Sequence, residues 1–489
     1  MTFFQFCIYF THSGKNGRSL FSCSLLCCSS YEAAPQKGQK MNTADKIKKK
    51  AAMTAYDIMA KNPEKNLPAL LDKLIHMDDE KIAVFDQAST MKKVLSNPDN
   101  MVLREILEIY RDVDKDQCRK LFETIVVDGS LIGSPIREKK RKENNCNIPW
   151  LILMDPTSAC NLKCTGCWAA EYGHTMSITL DEMENVIQQA NDLGCYLFLL
   201  AGGEPMMRKA DIITLCERHQ DCAFMIFTNG TLVDEAFADQ MLKVKNLIPA
   251  ISIEGYEEDT DFRRGKGTYQ RVLTAMEILK RKRLMFGTSC CYTKKSAELV
   301  GSDEYFDTVI GWGAKFMWCF AYTPIGKNAV TDLMITPEQR KYMYYNIRRL
   351  RLEKPLLAMD FYNDAKYVRG CIAGGRTYVH INANGDIEPC AFIHFSDSNI
   401  RTDTLLSALK KPLCMEFKEN EPFNKNMLRP CPLVDNPGRL TLMVEKTNAH
   451  STEMLEKDDV RELTNRCVEF AKGWAPIAKE LWDNEQSSN

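Results

Sequence analysis

The chain has 489 residues, of which 45% are hydrophobic and 26% are charged, as in ordinary folded proteins with two or three domains. Its 64 basic residues oppose 65 acidic ones, so neither sign dominates and no nucleic-acid or anionic-membrane partner is expected. The 20 cysteines are scattered along the chain instead of forming the compact framework of a small secreted protein. They favour a reducing compartment, and we expect a cytoplasmic protein.

The N-terminal 41 residues (1–41) differ in composition from the rest of the chain. They combine short apolar stretches with clustered Cys and Ser, and their charge order is not that of a signal peptide. We interpret residues 1–41 as a disordered or mis-assigned extension. No apolar run in the chain approaches the roughly 20 residues that cross a bilayer, so no transmembrane segment is expected.

Residues 42–146 are predicted to form a helical N-terminal region. Apolar residues recur three and four positions apart, which is typical of amphipathic helices. These helices are predicted at 43–62, 68–77, 101–113 and 118–129. The basic run at 137–145 is interpreted as a solvated linker.

Residues 147–353 alternate between β-rich runs and amphipathic helical stretches. The β-rich runs lie at 150–156, 196–202, 223–229, 247–255, 284–293 and 315–324. Six strand–helix units of this kind predict an α/β fold whose parallel sheet has right-handed crossovers, either an open doubly wound sheet or a partial barrel. In both architectures ligands gather at the carboxyl ends of the strands.

Three cysteines follow the first of these strands, with the spacing Cys160-x3-Cys164-x2-Cys167. Three thiolates on one loop can hold three corners of a [4Fe–4S] cluster and leave the fourth iron open. A zinc site that lacks one ligand, or three structural thiols, would show the same pattern. The position at the end of the first strand favours the cluster.

Polar residues also end the second and fourth predicted strands. Gly202, Gly203 and Glu204 precede a proline, and paired glycines allow the backbone to approach a ligand closely. A carboxylate there can receive an ammonium group. Ser252 and Glu254 lie at the end of the fourth strand and are candidate ligand contacts.

The section 354–440 is rich in Cys, Asn and Gly, and a helical tail at 441–489 follows it. A hairpin with a tight turn at Asn384-Gly385 is predicted to bring Cys390 beside Cys371. Cys431 lies in a Pro-bracketed loop and is the third candidate ligand, with Cys414 in reserve. The alternative is that Cys371, Cys390 and Cys431 are structural or bind zinc.

The first cysteine motif resembles that of the radical S-adenosylmethionine (SAM) superfamily, whose fold is a (β/α)6 partial barrel. The resemblance implies a [4Fe–4S] cluster on Cys160, Cys164 and Cys167, with SAM bound to the open iron and cleaved to a 5′-deoxyadenosyl radical. It also implies that Glu204 holds the SAM amino group and that Ser252 contacts its ribose. The family often has an aromatic residue before the third cysteine, where this chain has Gly166.

The C-terminal cysteines are similar to the opening of the SPASM and Twitch extensions of this superfamily, and the resemblance covers about residues 147–439. A full SPASM pattern is absent, so the resemblance implies a shorter, Twitch-like domain with an auxiliary Fe–S cluster on Cys371, Cys390 and Cys431. It further implies a low-potential electron donor of the flavodoxin or ferredoxin type.

The resulting hypothesis is a radical SAM enzyme that abstracts hydrogen from an unidentified substrate, whether a peptide, a lipid or a small-molecule precursor. The alternative is a non-catalytic Fe–S or zinc protein that serves as a redox sensor or scaffold. Such a sensor has no need of Glu204 or of the SAM-facing strand ends.

Overall fold

The computed structural model describes residues 42–67 and 100–487. The extension 1–41 and the predicted helix at 68–77 lie outside the described residues. Within the described ranges, no helix is long and apolar enough to span a membrane.

One nine-stranded sheet organises the molecule. Its order is β7-β6-β5-β4-β3-β2-β1-β8-β9, and every neighbouring pair is parallel except β8 and β9. The strands are β1 Leu151–Met154, β2 Leu197–Leu200, β3 Ala223–Thr228, β4 Leu247–Ser252, β5 Gly287–Tyr292, β6 Phe316–Ala321, β7 Leu357–Asp360, β8 Tyr378–Ile381 and β9 Ile387–Glu388. A second, two-stranded sheet pairs β10 Phe395–Ser396 with β11 His450–Ser451.

Helices precede the sheet, connect its strands and follow it. They are α1 Thr43–Met59, α2 Met101–Asp112, α3 Lys115–Leu121, α4 Gly133–Asn144, α5 Leu180–Asp192, α6 Lys209–Arg218, α7 Glu235–Val244, α8 Glu257–Arg264, α9 Thr268–Arg281, α10 Ala297–Val300, α11 Asp303–Trp312, α12 Pro337–Glu353, α13 Leu405–Ala408, α14 Pro412–Asn420, α15 Pro437–Thr447 and α16 Val460–Ser487. A π-helix, Phe122–Ile132, joins α3 to α4. The predicted α/β fold with six strand–helix units is confirmed, and it matches the (β/α)6 partial barrel.

Two further parallel strands extend the barrel sheet at its edges. β7 pairs with β6, and β8 pairs with β1 in the register Leu151 to Tyr378 and Met154 to Ile381. The C-terminal hairpin is therefore hydrogen-bonded to the strand that leads into the first cysteine motif. The domain limits given above stay predictions.

The basic stretch interpreted as a linker is instead helical. It forms most of α4, and Arg137 is fully buried. The Arg137 guanidinium donates to the carbonyl oxygens of Gly129, at 2.9 Å, and Gly194. These bonds satisfy a buried cation and fix the helical region against the α5–β2 connection.

Candidate active site

The cysteines of the first motif lie on the loop after β1, at the carboxyl edge of the sheet. Cys160, Cys164 and Cys167 are free, partly buried thiols, and all three border one cavity. Asn161 fastens the loop to the end of β3, because its side-chain oxygen accepts a hydrogen bond from Asn229 Nδ2 at 2.8 Å. Burial raises the pKa of Cys160 to about 11, so metal binding there must displace a proton.

The middle of this loop is held from the β6 side of the barrel. Gly166 has φ 65°, and a Cβ at that position would lie 2.6 Å from the Tyr322 ring. The Tyr322 hydroxyl is fixed in turn, since it accepts from Val330 N at 3.0 Å. Thr165 N donates to the carbonyl oxygen of Arg263 at 2.8 Å. The ring of Tyr322 thus packs against the loop at Gly166, in space that a larger residue at this position would fill.

The paired glycines after β2 pack against the backbone that leads into the cysteine loop. A Cβ on Gly202 would lie 2.6 Å from the Thr157 carbonyl oxygen, and one on Gly203 would collide with the carbonyl oxygens of Ser158 and Ala159. Both glycines also border the cavity. Their close approach is made to protein backbone, and a role in binding a ligand stays a prediction.

Glu204 is buried at the border of the same cavity. Its carboxylate accepts hydrogen bonds from Thr228 Oγ1 at 2.6 Å, Asn229 N at 2.7 Å and Met206 N at 3.0 Å. Burial raises the pKa of Glu204, while these three donors oppose the shift. A carboxylate offers about four lone-pair positions, so one remains for a further donor.

Ser252 and Glu254 differ in their surroundings. Ser252 ends β4 and borders the cavity. Glu254 is buried and accepts from Arg263 Nη1 at 2.6 Å and from Arg264 Nε at 2.5 Å. Burial opposes ionisation of Glu254, but Arg264 and Arg263 outweigh it and lower the pKa of this carboxyl group.

Two buried guanidinium groups share the carboxylate of Glu254 at this end of the cavity, and Glu204 supplies a second carboxylate there. Arg263 and Arg264 both border it. Arg263 Nε is buried and has no hydrogen-bond partner among the described residues. An anionic group such as a carboxylate fits this position, because charged donors that lie buried require a partner.

The predicted hairpin lies between Cys371 and Cys390, which with Cys431 form the second cysteine set. β8 and β9 are antiparallel, and Asn382 N donates to the carbonyl oxygen of Asp386 at 3.0 Å. Of the two turn residues Asn384 and Gly385, only Gly385 has positive φ, at 83°. The connection is therefore a three-residue loop ending in a left-handed glycine, one residue longer than the predicted turn.

Cys371, Cys390 and Cys431 all border the cavity that the first three cysteines border. Burial raises the pKa of Cys371, and Glu421, Cys431 and Cys390 add to the shift. Tyr378 Oη donates to Cys390 Sγ at 2.8 Å. The cysteine held in reserve, Cys414, is buried on α14 and does not border the cavity.

A buried ion pair anchors the loop of Cys431. Cys431 N donates to Asp435 Oδ2 at 3.0 Å, and Arg340 Nη1 donates to Asp435 Oδ1 at 2.5 Å. The Arg340 guanidinium lies 4.3 Å from the ring centre of Trp474 on α16. The C-terminal tail helix therefore supports the second cysteine set through α12.

Aromatic side chains connect the two cysteine sets. The cavity has a volume of about 300 Å³. Trp168, next to Cys167, lies 6.3 Å between ring centres from Phe392, and Phe392 N donates to Cys390 Sγ at 3.4 Å. Trp168 and Phe392 thus connect the two ends of one cavity.

Behind Trp168 lies a buried network of charged and polar groups. His380 is flanked by Glu388, whose Oε2 is 2.6 Å from Nδ1, and by Asp155, whose Oδ2 is 3.0 Å from Nε2. Burial opposes protonation of His380, but the two carboxylates outweigh it and raise the pKa to about 10. Tyr172 Oη also donates to Glu388, at 2.7 Å. This network joins β1, the cysteine loop and the hairpin, and it does not border the cavity.

The donor sets fit iron–sulfur chemistry. In residues 42–67 and 100–487, no three His, Cys, Asp or Glu side chains are grouped as ligands of a single metal ion. Each set instead places three thiols at the border of an open volume. Thiolates are the usual ligands of Fe–S clusters, so both sets match this donor chemistry.

Sequence reasoning missed Arg263, Arg264 and Tyr322. The two arginines end α8, the short helix after β4. Consecutive arginines before Gly265, so close after a barrel strand, were the available signal. Tyr322 gave no signal, because its contact with Gly166 joins positions far apart in the sequence.

Comparisons with known proteins support one family. The family model described as "Radical SAM superfamily" matches residues 154–291. The AdoMet-dependent heme synthase of Methanosarcina barkeri is 22% identical over 284 residues, which cover 52% of this chain and 80% of that protein. The cysteine-type anaerobic sulfatase-maturating enzyme of Clostridium perfringens is 29% identical over 172 residues, covering 31% of this chain and 46% of that protein.

A solved structure resembles the fold over a larger share of the chain. Streptococcus suis SuiB bound to the precursor peptide SuiA superposes with a TM-score of 0.52 at 20% identity. The match covers 68% of this chain and 80% of SuiB. At this identity the likeness concerns the fold.

Proposed function

Because the chain belongs to the radical SAM superfamily, we propose that Cys160, Cys164 and Cys167 hold its [4Fe–4S] cluster and that SAM binds beside them. The chain is a radical SAM enzyme, and bound SAM supplies the 5′-deoxyadenosyl radical that removes hydrogen from a substrate. The observation that carries the residue assignment is that the three thiols, Glu204 and the arginine pair border one cavity.

The polar residues at the end of the cavity near Cys160, Cys164 and Cys167 have separate roles. Glu204 accepts a hydrogen bond from the ammonium group of SAM at its remaining lone pair. Arg263 and Arg264 bind the carboxylate of SAM. Ser252 contacts the ribose. Glu254 acts through the two arginines, because both of its carboxylate oxygens already accept hydrogen bonds from them.

Cys371, Cys390 and Cys431 hold an auxiliary Fe–S cluster at the other end of the cavity. The substrate then lies between the two cysteine sets, in the space that the aromatic rings border. These rings exclude water from the position where hydrogen is removed. The non-catalytic alternative has no support, since the named relatives are enzymes.

The partners and compartment follow from this chemistry. Reductive cleavage of SAM requires a low-potential electron, and we assign its delivery to a donor of the flavodoxin or ferredoxin type. The described cysteines are free thiols, which agrees with a reducing compartment, and we place the enzyme in the cytoplasm. SuiB is bound to a precursor peptide, and a peptide is one candidate substrate here.

The variant that lacks Cys160, Cys164 and Cys167 tests the two-cluster assignment. After anaerobic reconstitution it should retain about four irons and four sulfides per chain, as one [4Fe–4S] unit requires. Adding Cys371→Ala should remove them, whereas adding Cys414→Ala should not. Iron near zero in the triple variant would contradict an auxiliary cluster, and bound zinc would favour a structural site.

A further inference from the structure

Six aromatic side chains form a wall along the middle of the cavity. This aromatic wall comprises Trp168, Phe227, Trp318, Phe320, Phe361 and Phe392. Phe320 lies at its centre, with ring centres 5.0 Å from Phe361, 5.8 Å from Trp318 and 6.1 Å from Phe227. The wall is therefore one continuous surface contributed by several strand ends.

The rings of the aromatic wall are not all fully buried. Phe227, Phe320, Phe361 and Phe392 remain partly exposed although they lie inside the barrel. Apolar surface that faces an internal space, and not a neighbouring side chain, forgoes the stabilisation that burial provides. An apolar ligand restores that stabilisation, whereas a polar ligand does not.

Every charged side chain at the cavity border already has a partner within the protein. Asp360 accepts from Asn363 Nδ2 at 2.7 Å, and Asp364 pairs with Arg351 at 2.7 Å. The other bordering charges are Glu204, Arg263 and Arg264, which lie at the proposed SAM end. A charged substrate group beside the wall would lose its hydration and would compete with the protein donors that Asp360 and Asp364 already have.

We propose that the aromatic wall takes an uncharged hydrocarbon group of the substrate, aliphatic or aromatic, and presents its C–H bonds to the radical. The inference rests on the proposed function, because that function places the radical source beside Trp168. It adds the chemical class of the group that reacts. An alkyl chain and the apolar side chain of a peptide share this chemistry.

Binding of N-phenyl-1-naphthylamine to the reconstituted full chain, measured by equilibrium dialysis, tests the wall. Straight-chain alcohols from 1-butanol to 1-octanol should displace the probe, with affinity rising about fourfold for each added methylene. N-acetyl-phenylalaninamide is the second displacer, and its strength relative to 1-octanol distinguishes a peptide source from an alkyl chain. 3,3-Dimethyl-1-butanol should displace the probe at least tenfold better than choline, its cationic isostere.

Variants test whether the probe binds in the cavity. Phe320→Asp should weaken probe binding at least tenfold, Phe320→Leu should largely retain it, and Tyr345→Asn, an exposed aromatic position, should leave it unchanged. Affinity that does not depend on chain length, stronger binding of choline, or an unchanged Phe320→Asp variant would overturn the proposal.

The two proposals fail in different assays. If Cys164→Ala abolishes SAM cleavage while the probe still binds, both proposals stand. Normal SAM cleavage without probe binding at Phe320 overturns the hydrocarbon assignment alone. Probe binding without any SAM cleavage by the wild-type protein overturns the cluster assignment and leaves the wall as a hydrocarbon-binding site without a radical source.

Discussion

Replacing Glu254 with Gln discriminates between two roles for this residue. The substitution keeps the shape of the side chain but removes the charge that faces Arg263 Nη1 at 2.6 Å and Arg264 Nε at 2.5 Å. A direct contact with SAM predicts a loss of SAM affinity alone. A role in holding the arginines predicts a loss of both stability and affinity.

The magnitude follows from burial. The side chains of Glu254, Arg263 and Arg264 are 2%, 8% and 10% exposed, so solvent compensates little. Breaking a buried ion pair by removing one partner costs about 3–5 kcal/mol, because a charge is left without a counter-charge. We expect the free energy of unfolding of Glu254→Gln to fall by about that amount.

Urea unfolding at neutral pH measures this change, and equilibrium dialysis of reconstituted protein measures SAM affinity. Glu257→Gln is the matched control, because Glu257 is exposed on the short helix that carries Arg263 and Arg264 and its loss should change stability by less than about 0.5 kcal/mol. The double variant Glu254→Gln with Arg264→Gln should be less destabilised than the sum of the single changes, since it removes one of the charges left unpaired.

The role of Glu254 in holding the arginines is refuted if Glu254→Gln unfolds like the wild-type protein. It is also refuted if the double variant shows strictly additive losses, because additivity would mean that the two side chains do not interact. A stable Glu254→Gln protein with weaker SAM binding would restore the direct contact predicted from the sequence.

Three further predictions concern the loop, the tail and pH. Cys164→Ala should abolish 5′-deoxyadenosine formation with an unchanged circular dichroism spectrum, because this proposed ligand lies on a loop; cleavage at the wild-type rate would contradict its assignment. Arg340→Met should lower the free energy of unfolding by about 3–5 kcal/mol, since Asp435 is left buried without its partner, and a change below 1 kcal/mol in urea unfolding would contradict this. Burial raises the pKa of Glu105 to about 8, whereas the pKa of an unfolded Glu is about 4.3. Folding therefore binds a proton between these pH values. The contribution of Glu105 to stability falls as the pH rises through this interval. Glu105→Gln should therefore gain on the wild-type protein by up to about 1.4 kcal/mol per pH unit over this interval, and parallel stability profiles would refute the shift.

The barrel could be predicted because its strands and helices follow simple periodic patterns. The strand Leu151–Met154 and the helix Leu180–Asp192, which begins with a Thr179 capping box, both lie where hydrophobic periodicity places them. The edge strand Leu357–Asp360 was missed, because four residues after a long helix carry little pattern of their own. The pairing of β8 with β1 joins distant segments, and periodicity carries no information about it.

The candidate ligands could be singled out from the sequence, whereas the residues that hold them in place could not. Cysteine spacing on one loop is a local property, so Cys160, Cys164 and Cys167 could be singled out from the sequence. Whether Glu254 faces SAM or a pair of arginines depends on the fold of the helix that follows it. The contact between Gly166 and Tyr322 depends on tertiary structure alone.

Formation of 5′-deoxyadenosine is the most direct test of the central claim. Anaerobically reconstituted protein, reduced with dithionite in the presence of SAM, should release 5′-deoxyadenosine and methionine in equal amounts. The variant lacking Cys160, Cys164 and Cys167 should release neither, although it retains its auxiliary iron. Reduced wild-type protein that carries its full iron and sulfide but leaves SAM intact would contradict the account.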